Sequence, residues 1–151
     1  MLDEIRDLYQ EVVFDHNRNP RNFRVMDDAT RKIDGFNPLC GDRITLYVRL
    51  KDGVIEDVSF QGQGCAISTA SASIMTEVVR GLTEDEAHDL FQTFHRITTD
   101  QDLEIQLEEL GKLAVLAGVR AYPARVKCAT LAWHSLEAAL KEDAETAVST
   151  E

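Results

Sequence analysis

The stretch RITLYVRLKDGVIEDVSFQGQG, residues 43–64, decides the reading of the fold. Ile44, Leu46, Val48 and Leu50 alternate with Arg43, Thr45, Tyr47 and Arg49. That is the period of two expected of a half-buried strand. Lys51-Asp52-Gly53 supplies a turn, in which Gly53 is free to take positive φ. Residues 54–60 return as a second strand, with Val54, Val58 and Phe60 on one face. With the turn centred near residue 52, residue 42 lies opposite residue 62. Strand pairing therefore sets Cys40 and Asp42 beside the Gly62–Cys65 loop, at the end of the sheet.

Upstream of the hairpin, Leu2, Ile5, Leu8, Tyr9, Val12 and Val13 recur at helical spacing, so residues 3–16 read as an amphipathic helix. Its apolar stripe is core rather than docking surface. The run Asn17-Arg18-Asn19-Pro20 ends it, and a short strand is expected around 30–36. Downstream, Ile67, Ala70, Ile74 and Val78 mark a helix that stops at Gly81. Thr83 reads as the N-cap of another, with Glu86 in the capping-box position. A helix is expected near 102–116, and a last one starts at Pro123 and carries Val126, Thr130, Trp133, Leu136 and Leu140 on one side. Strands followed by helices give an α+β fold. Residues 1–141 form one domain, and the acidic residues 142–151 a frayed tail.

Of the 151 residues, 44% are hydrophobic and 28% charged, as in a soluble globular domain. No apolar run nears the roughly 20 residues that span a bilayer. The opening MLDEIRDLYQ has neither a basic start nor an apolar stretch, so the expected location is the cytoplasm. A formal net charge of −11 argues against nucleic acid as the main partner. It suits a partner with a basic face, and equally simple solubility. Three cysteines are an odd count, and the cytosol keeps thiols reduced, so metal binding or catalysis explains them better than disulfides.

The residue types at the sheet end fit a metal. Zinc takes four ligands from Cys, His, Asp and Glu. In the Cys40-Gly41-Asp42 step, Gly41 lets the backbone bend so that both side chains converge. Cys65 follows Gly62 and Gly64 at a helix start, where the helix dipole favours a thiolate. Cys128, early in the last helix, must fold back onto the same sheet end to join them. Taken singly, a cysteine is more often a small buried hydrophobe than a ligand. The convergence of Cys40, Asp42 and Cys65 shifts the balance.

The segments YQEVVFDHNRNPRNF (9–23), NPLCGD (37–42), GQGCAISTASASIM (62–75) and YPARVKCATLAW (122–133) together resemble the U-type iron–sulfur cluster assembly proteins: IscU, SufU and the N-terminal part of NifU. The resemblance runs from about residue 5 to residue 140, with three Cys motifs in order. It implies a three-stranded antiparallel sheet with helices packed on one face, and Cys40, Asp42, Cys65 and Cys128 gathered at one end. The scaffold branch, like IscU, usually has a His before the third Cys and a chaperone-read L-P-P-V-K stretch. This chain has Lys127 and YPARVK instead, with a long segment between His95 and Tyr122 that resembles the insertion of the SufU branch. That branch implies a zinc-dependent sulfur acceptor for a pyridoxal-phosphate cysteine desulfurase of the SufS or IscS type, supplying downstream iron–sulfur assembly proteins.

Three thiolates and a carboxylate around a dication leave about −2 formal charges, a closed and unreactive site until a ligand leaves. The resemblance suggests that a partner group replaces Cys40, whose thiolate then takes the desulfurase persulfide. Asp42, a hard oxygen ligand among soft sulfurs, keeps the site exchangeable. Arg125 and Lys127 either offset the negative charge or are solvated helix charge. His16 interacts with the C-terminal end of the first helix, and His88, His95 and His134 show no ligation partner in the sequence. Three functions stay open. They are a zinc-dependent sulfur acceptor, a scaffold binding a transient [2Fe–2S] cluster or iron through Cys40, Cys65 and Cys128, and a structural zinc module. No nucleophile elbow or Ser-His-Asp pattern points to a hydrolase.

Overall fold

A computed structural model describes residues 2–37, 41–99, 116, 119, 123–141 and 148–149. Helix α1 (Leu2–Arg18) leads into the strands β1 (Arg31–Asn37), β2 (Asp42–Lys51) and β3 (Val54–Gln63). The helices α2 (Ala66–Val79), α3 (Glu84–Thr99) and α4 (Pro123–Leu140) follow, and β4 (Val148–Ser149) comes last. The antiparallel meander β1-β2-β3 is the expected three-stranded sheet, and β4 adds two residues in parallel beside Gly35 and Phe36 of β1. Of the acidic segment expected to fray, these two residues are the described part. The helix expected near 102–116 lies outside the described residues except for Leu116, which is helical and buried.

The hairpin turns on Asp52 (φ 54°) and Gly53 (φ 79°). Positive φ at both central positions matches the right-handed twist of the flanking strands. The pairing, however, differs from simple counting. Lys51 faces Val54, and a bulge between Arg49 and Leu50 leaves Glu56 without a cross-strand partner. Gly62 therefore pairs with Ile44, not with residue 42. The extra residue also reverses the alternation, so that Ile55 rather than Val54 turns into the core beside Val58 and Phe60. Glu56 is held outside by Arg49, 3.0 Å away.

Inward-facing Ile33, Leu46, Val48, Val58 and Phe60 form one wall of the core. Helix α2 packs on β3, and α4 on β1 and β2. Small residues let the helices come close. The Ser71 hydroxyl of α2 donates to the Ala129 carbonyl of α4 at 2.5 Å and accepts from Trp133 Nε1 at 3.2 Å. Trp133 in turn stacks on Phe94 of α3, ring centroids 4.6 Å apart. The capping box of α3 forms as read, with Thr83 Oγ1 accepting from Glu86 N–H and Glu86 Oε1 from Thr83 N–H, each at 3.1 Å.

Candidate metal centre

Three elements bring Asp42, Cys65 and Cys128 to one end of the sheet. Asp42 is the first residue of β2, Cys65 is the N-cap of α2, and Cys128 lies in the second turn of α4. One ligand atom from each falls within 4.8 Å of the others. Asp42 is 1% exposed and Cys128 fully buried, while Cys65 is half-buried. Among the described residues this is the group able to hold a metal ion.

Each donor atom is oriented by an N–H. Cys65 N–H donates to Asp42 Oδ1 at 2.8 Å, and Ser68 N–H donates to Cys65 Sγ at 3.4 Å. The second bond serves one of the helix's first N–H groups, which have no partner within the helix. The Cys65 thiol points at Asp42 Oδ2, 3.8 Å away. Asn37 Nδ2 donates to Cys128 Sγ at 3.7 Å. A Cβ at Gly64 would lie 2.9 Å from Asp42 Oδ1, so only glycine leaves room for the carboxylate there. The corrected register explains this contact. With Arg43 facing Gln63, the next residues outward are Asp42 and Gly64.

Cys128 reaches the sheet because α4 lies close to β1. A Cβ at Gly35 would collide with Ser135 Oγ and come within 3.3 Å of Leu131 Cδ1. Cys128, Leu131 and Ser135 recur at the spacing of one helix face. The missing side chain at Gly35 thus lets the face carrying Cys128 settle on β1.

Cys40 lies outside the described residues. Arg125 and Lys127 are exposed on α4. The histidines take structural places away from the cluster. His16 is buried within α1, with Nδ1 2.7 Å from Ser73 Oγ and Nε2 3.6 Å from Glu77 Oε1, so it ties α1 to α2 rather than serving its own helix end. Ser73 Oγ also accepts from Arg21 N–H at 2.8 Å, and Ser73 is fully buried, so this Ser-His-Glu row has no substrate-facing nucleophile. His88 Nδ1 sits 2.8 Å from Glu137 Oε1. His134 packs edge-on to Phe91 and His95. Burial first, and then the neighbouring His95, push its pKa below the usual histidine range against the pull of Glu137.

Sequence reading missed Asn37 and the His16–Ser73 pair. Asn37 is the third inward position of β1 after Ile33 and Gly35. A polar residue on that alternating face was the available signal.

Comparison with known proteins places these residues in a family. Residues 8–129 match the NifU-like N terminal domain. Over 130 residues the chain is 42% identical to the zinc-dependent sulfurtransferase SufU of Bacillus subtilis, covering 86% of this chain and 87% of that protein. It is 41% identical over 143 residues to the iron–sulfur cluster assembly scaffold protein IscU of Streptococcus pyogenes, covering 95% and 89%. A crystal structure from Fervidobacterium islandicum, described as a candidate iron–sulfur cluster assembly scaffold protein for the SUF system, superposes with a TM-score of 0.80 at 34% identity. The match covers 88% of this chain and 96% of that one.

Proposed function

Because the chain belongs to the NifU-like N terminal domain family, we propose that it binds zinc and carries persulfide sulfur for iron–sulfur cluster assembly. Cys40, Asp42, Cys65 and Cys128 are the zinc ligands in this reading. Cys40 accepts the sulfur from a pyridoxal-phosphate cysteine desulfurase, in the cytoplasm, and passes it to downstream assembly proteins. The observation that carries the reading is the convergence of Asp42, Cys65 and Cys128 donor atoms within 4.8 Å.

Two thiols and a carboxylate, each aimed by a fixed N–H, are the donor types that zinc takes. A bound zinc would hold the sulfurs as thiolates and add its binding free energy to folding. Cys40 stands two residues before Asp42, so chain connectivity keeps its Cα within about 7 Å of that residue's. Cys65 caps α2 and Cys128 lies within α4, whereas Cys40 belongs to the stretch between β1 and β2. In this reading Cys40 is the thiol that meets a partner. Its thiolate attacks the terminal sulfur of the desulfurase persulfide, forming a new S–S bond. The old S–S bond breaks and the desulfurase cysteine leaves as a thiolate, so no outside oxidant or reductant is needed. Arg125, three residues before Cys128 on the helix, offsets the negative charge of the donors.

Elemental analysis after expression in zinc-replete medium is expected to find close to one zinc per chain. The loaded protein is expected to accelerate a partner cysteine desulfurase. Negligible zinc, or no acceleration by the loaded protein, contradicts the proposal.

The same donors support a second reading, as a scaffold for a transient [2Fe–2S] cluster or iron, and the S. pyogenes relative carries that name. Asp42 separates the two. Asp42→Ala removes the hard ligand and the acceptor of Cys65 N–H. Anaerobic reconstitution of this variant is expected to give a longer-lived cluster absorbance than the parent. Equal lifetimes would show that Asp42 does not set lability.

No helix among the described residues is long and apolar enough to cross a membrane. The net charge of −11 argues against nucleic acid as the main partner.

A further inference from the structure

We infer that Asn37 is a positioning residue for the metal centre, holding Cys128 by an N–H···S hydrogen bond and thereby setting the strength of the zinc site. The inference rests on the proposed zinc reading, in which Cys128 is a ligand. Asp42 and Cys65 receive their hydrogen bonds from the backbone, at Cys65 N–H and Ser68 N–H. Cys128 receives one from a side chain, the Asn37 carboxamide at 3.7 Å. A metal-bound sulfur accepts and cannot donate, so the group facing it must be the Asn37 NH₂.

Asn37 is well placed for this task. It is 1% exposed, and a buried carboxamide needs partners. It closes β1 in register with Asp42, while its backbone carbonyl accepts from Gly41 N–H at 2.8 Å. One residue thus fixes the direction of the chain just ahead of Asp42 and the sulfur of Cys128, 91 positions away in the sequence. Gly35, two residues earlier on the same face of β1, lets α4 approach closely enough for the carboxamide to reach that sulfur. Partners of this kind orient ligands and tune their donor strength, and losing one typically costs 10–100-fold in metal affinity.

The test compares the zinc-loaded protein with Asn37→Leu, which keeps the approximate volume, and Asn37→Ser, which keeps a small donor. Competition with a chromophoric chelator is expected to show zinc affinity reduced about tenfold in Asn37→Leu and partly restored in Asn37→Ser. In cobalt(II)-loaded Asn37→Leu, the sulfur-to-metal charge-transfer band is expected to move to longer wavelength, because a sulfur without its hydrogen bond gives up electron density more readily. A purely structural asparagine would not shift that band. Unchanged affinity and an unmoved band in a folded Asn37→Leu overturn the inference while leaving the zinc reading intact. If Asn37→Leu does not fold, NMR of the parent loaded with NMR-active cadmium decides. A scalar coupling between the metal and an Asn37 carboxamide proton supports the hydrogen bond, and its absence overturns it. A parent that binds none of these metals removes the zinc reading and this inference together.

Discussion

Cys128→Ser is expected to lose about 4 kcal/mol of unfolding free energy relative to the zinc-loaded parent. The magnitude follows from linkage, since weakening a bound ligand about a thousandfold removes roughly that much stabilisation. Cys128 is fully buried, receives the Asn37 carboxamide, and sits on the helix face that settles against β1. A hydroxyl there is a poor zinc ligand, and no described side chain lies ready to replace it. His88, His95 and His134 are engaged with Glu137 and with the ring cluster around Phe91. Denaturant unfolding in the presence and absence of a chelator checks the cause. Without zinc, the parent and Cys128→Ser should differ by only about 1 kcal/mol, the ordinary cost of a core substitution. If the full difference persists with zinc removed, Cys128 contributes to packing and not to metal binding.

Cys40→Ser has the opposite profile. The donor atoms of Asp42, Cys65 and Cys128 are held by α2, α4, the start of β2 and three N–H groups, all from described residues. The variant is therefore expected to fold, to keep measurable zinc, and to unfold within about 1 kcal/mol of a parent at matched zinc occupancy. Desulfurase turnover in its presence should nevertheless fall to the rate of the desulfurase alone, because the thiol proposed as acceptor is gone. Steady-state alanine production with and without the variant measures this. Substantial acceleration by Cys40→Ser would transfer the acceptor role to another sulfur.

The two substitutions also mark what could be read without coordinates. The strands, α2 and the capping box of α3 rest on patterns a few residues long, such as the alternation from Arg43 to Leu50 and the Thr83–Glu86 exchange. Such patterns are local, and they survive folding unchanged. The hairpin register is not local in that sense. A bulge that leaves Glu56 out of the strand register shifts Gly62 from residue 42 to Ile44 and exchanges Ile55 for Val54 in the core. No spacing in the sequence announces it.

The site divides in the same way. Asp42 and Cys65 become neighbours through one hairpin, so their meeting was legible even with the register two residues out. Cys128 depends on how closely α4 approaches β1, which Gly35 and Ser135 decide across 100 residues of sequence. In the sequence, its place came from resemblance to a family and not from spacing. Asn37 went unread because an asparagine before Pro38 looks like ordinary turn chemistry. Only the inward alternation of Ile33, Gly35 and Asn37 shows that its carboxamide must find a partner inside. His16 and Ser73, 57 residues apart, form a helix-to-helix tie that no local pattern encodes.

The central question is which sulfur carries the cargo. The direct measurement incubates the zinc-loaded protein with a cysteine desulfurase and cysteine, traps persulfides by alkylation, and maps them by peptide mass spectrometry. The added sulfur is predicted on the peptide containing Cys40, with the peptides containing Cys65 and Cys128 unmodified. Sulfur found mainly on Cys128 would contradict the assignment and favour the scaffold reading.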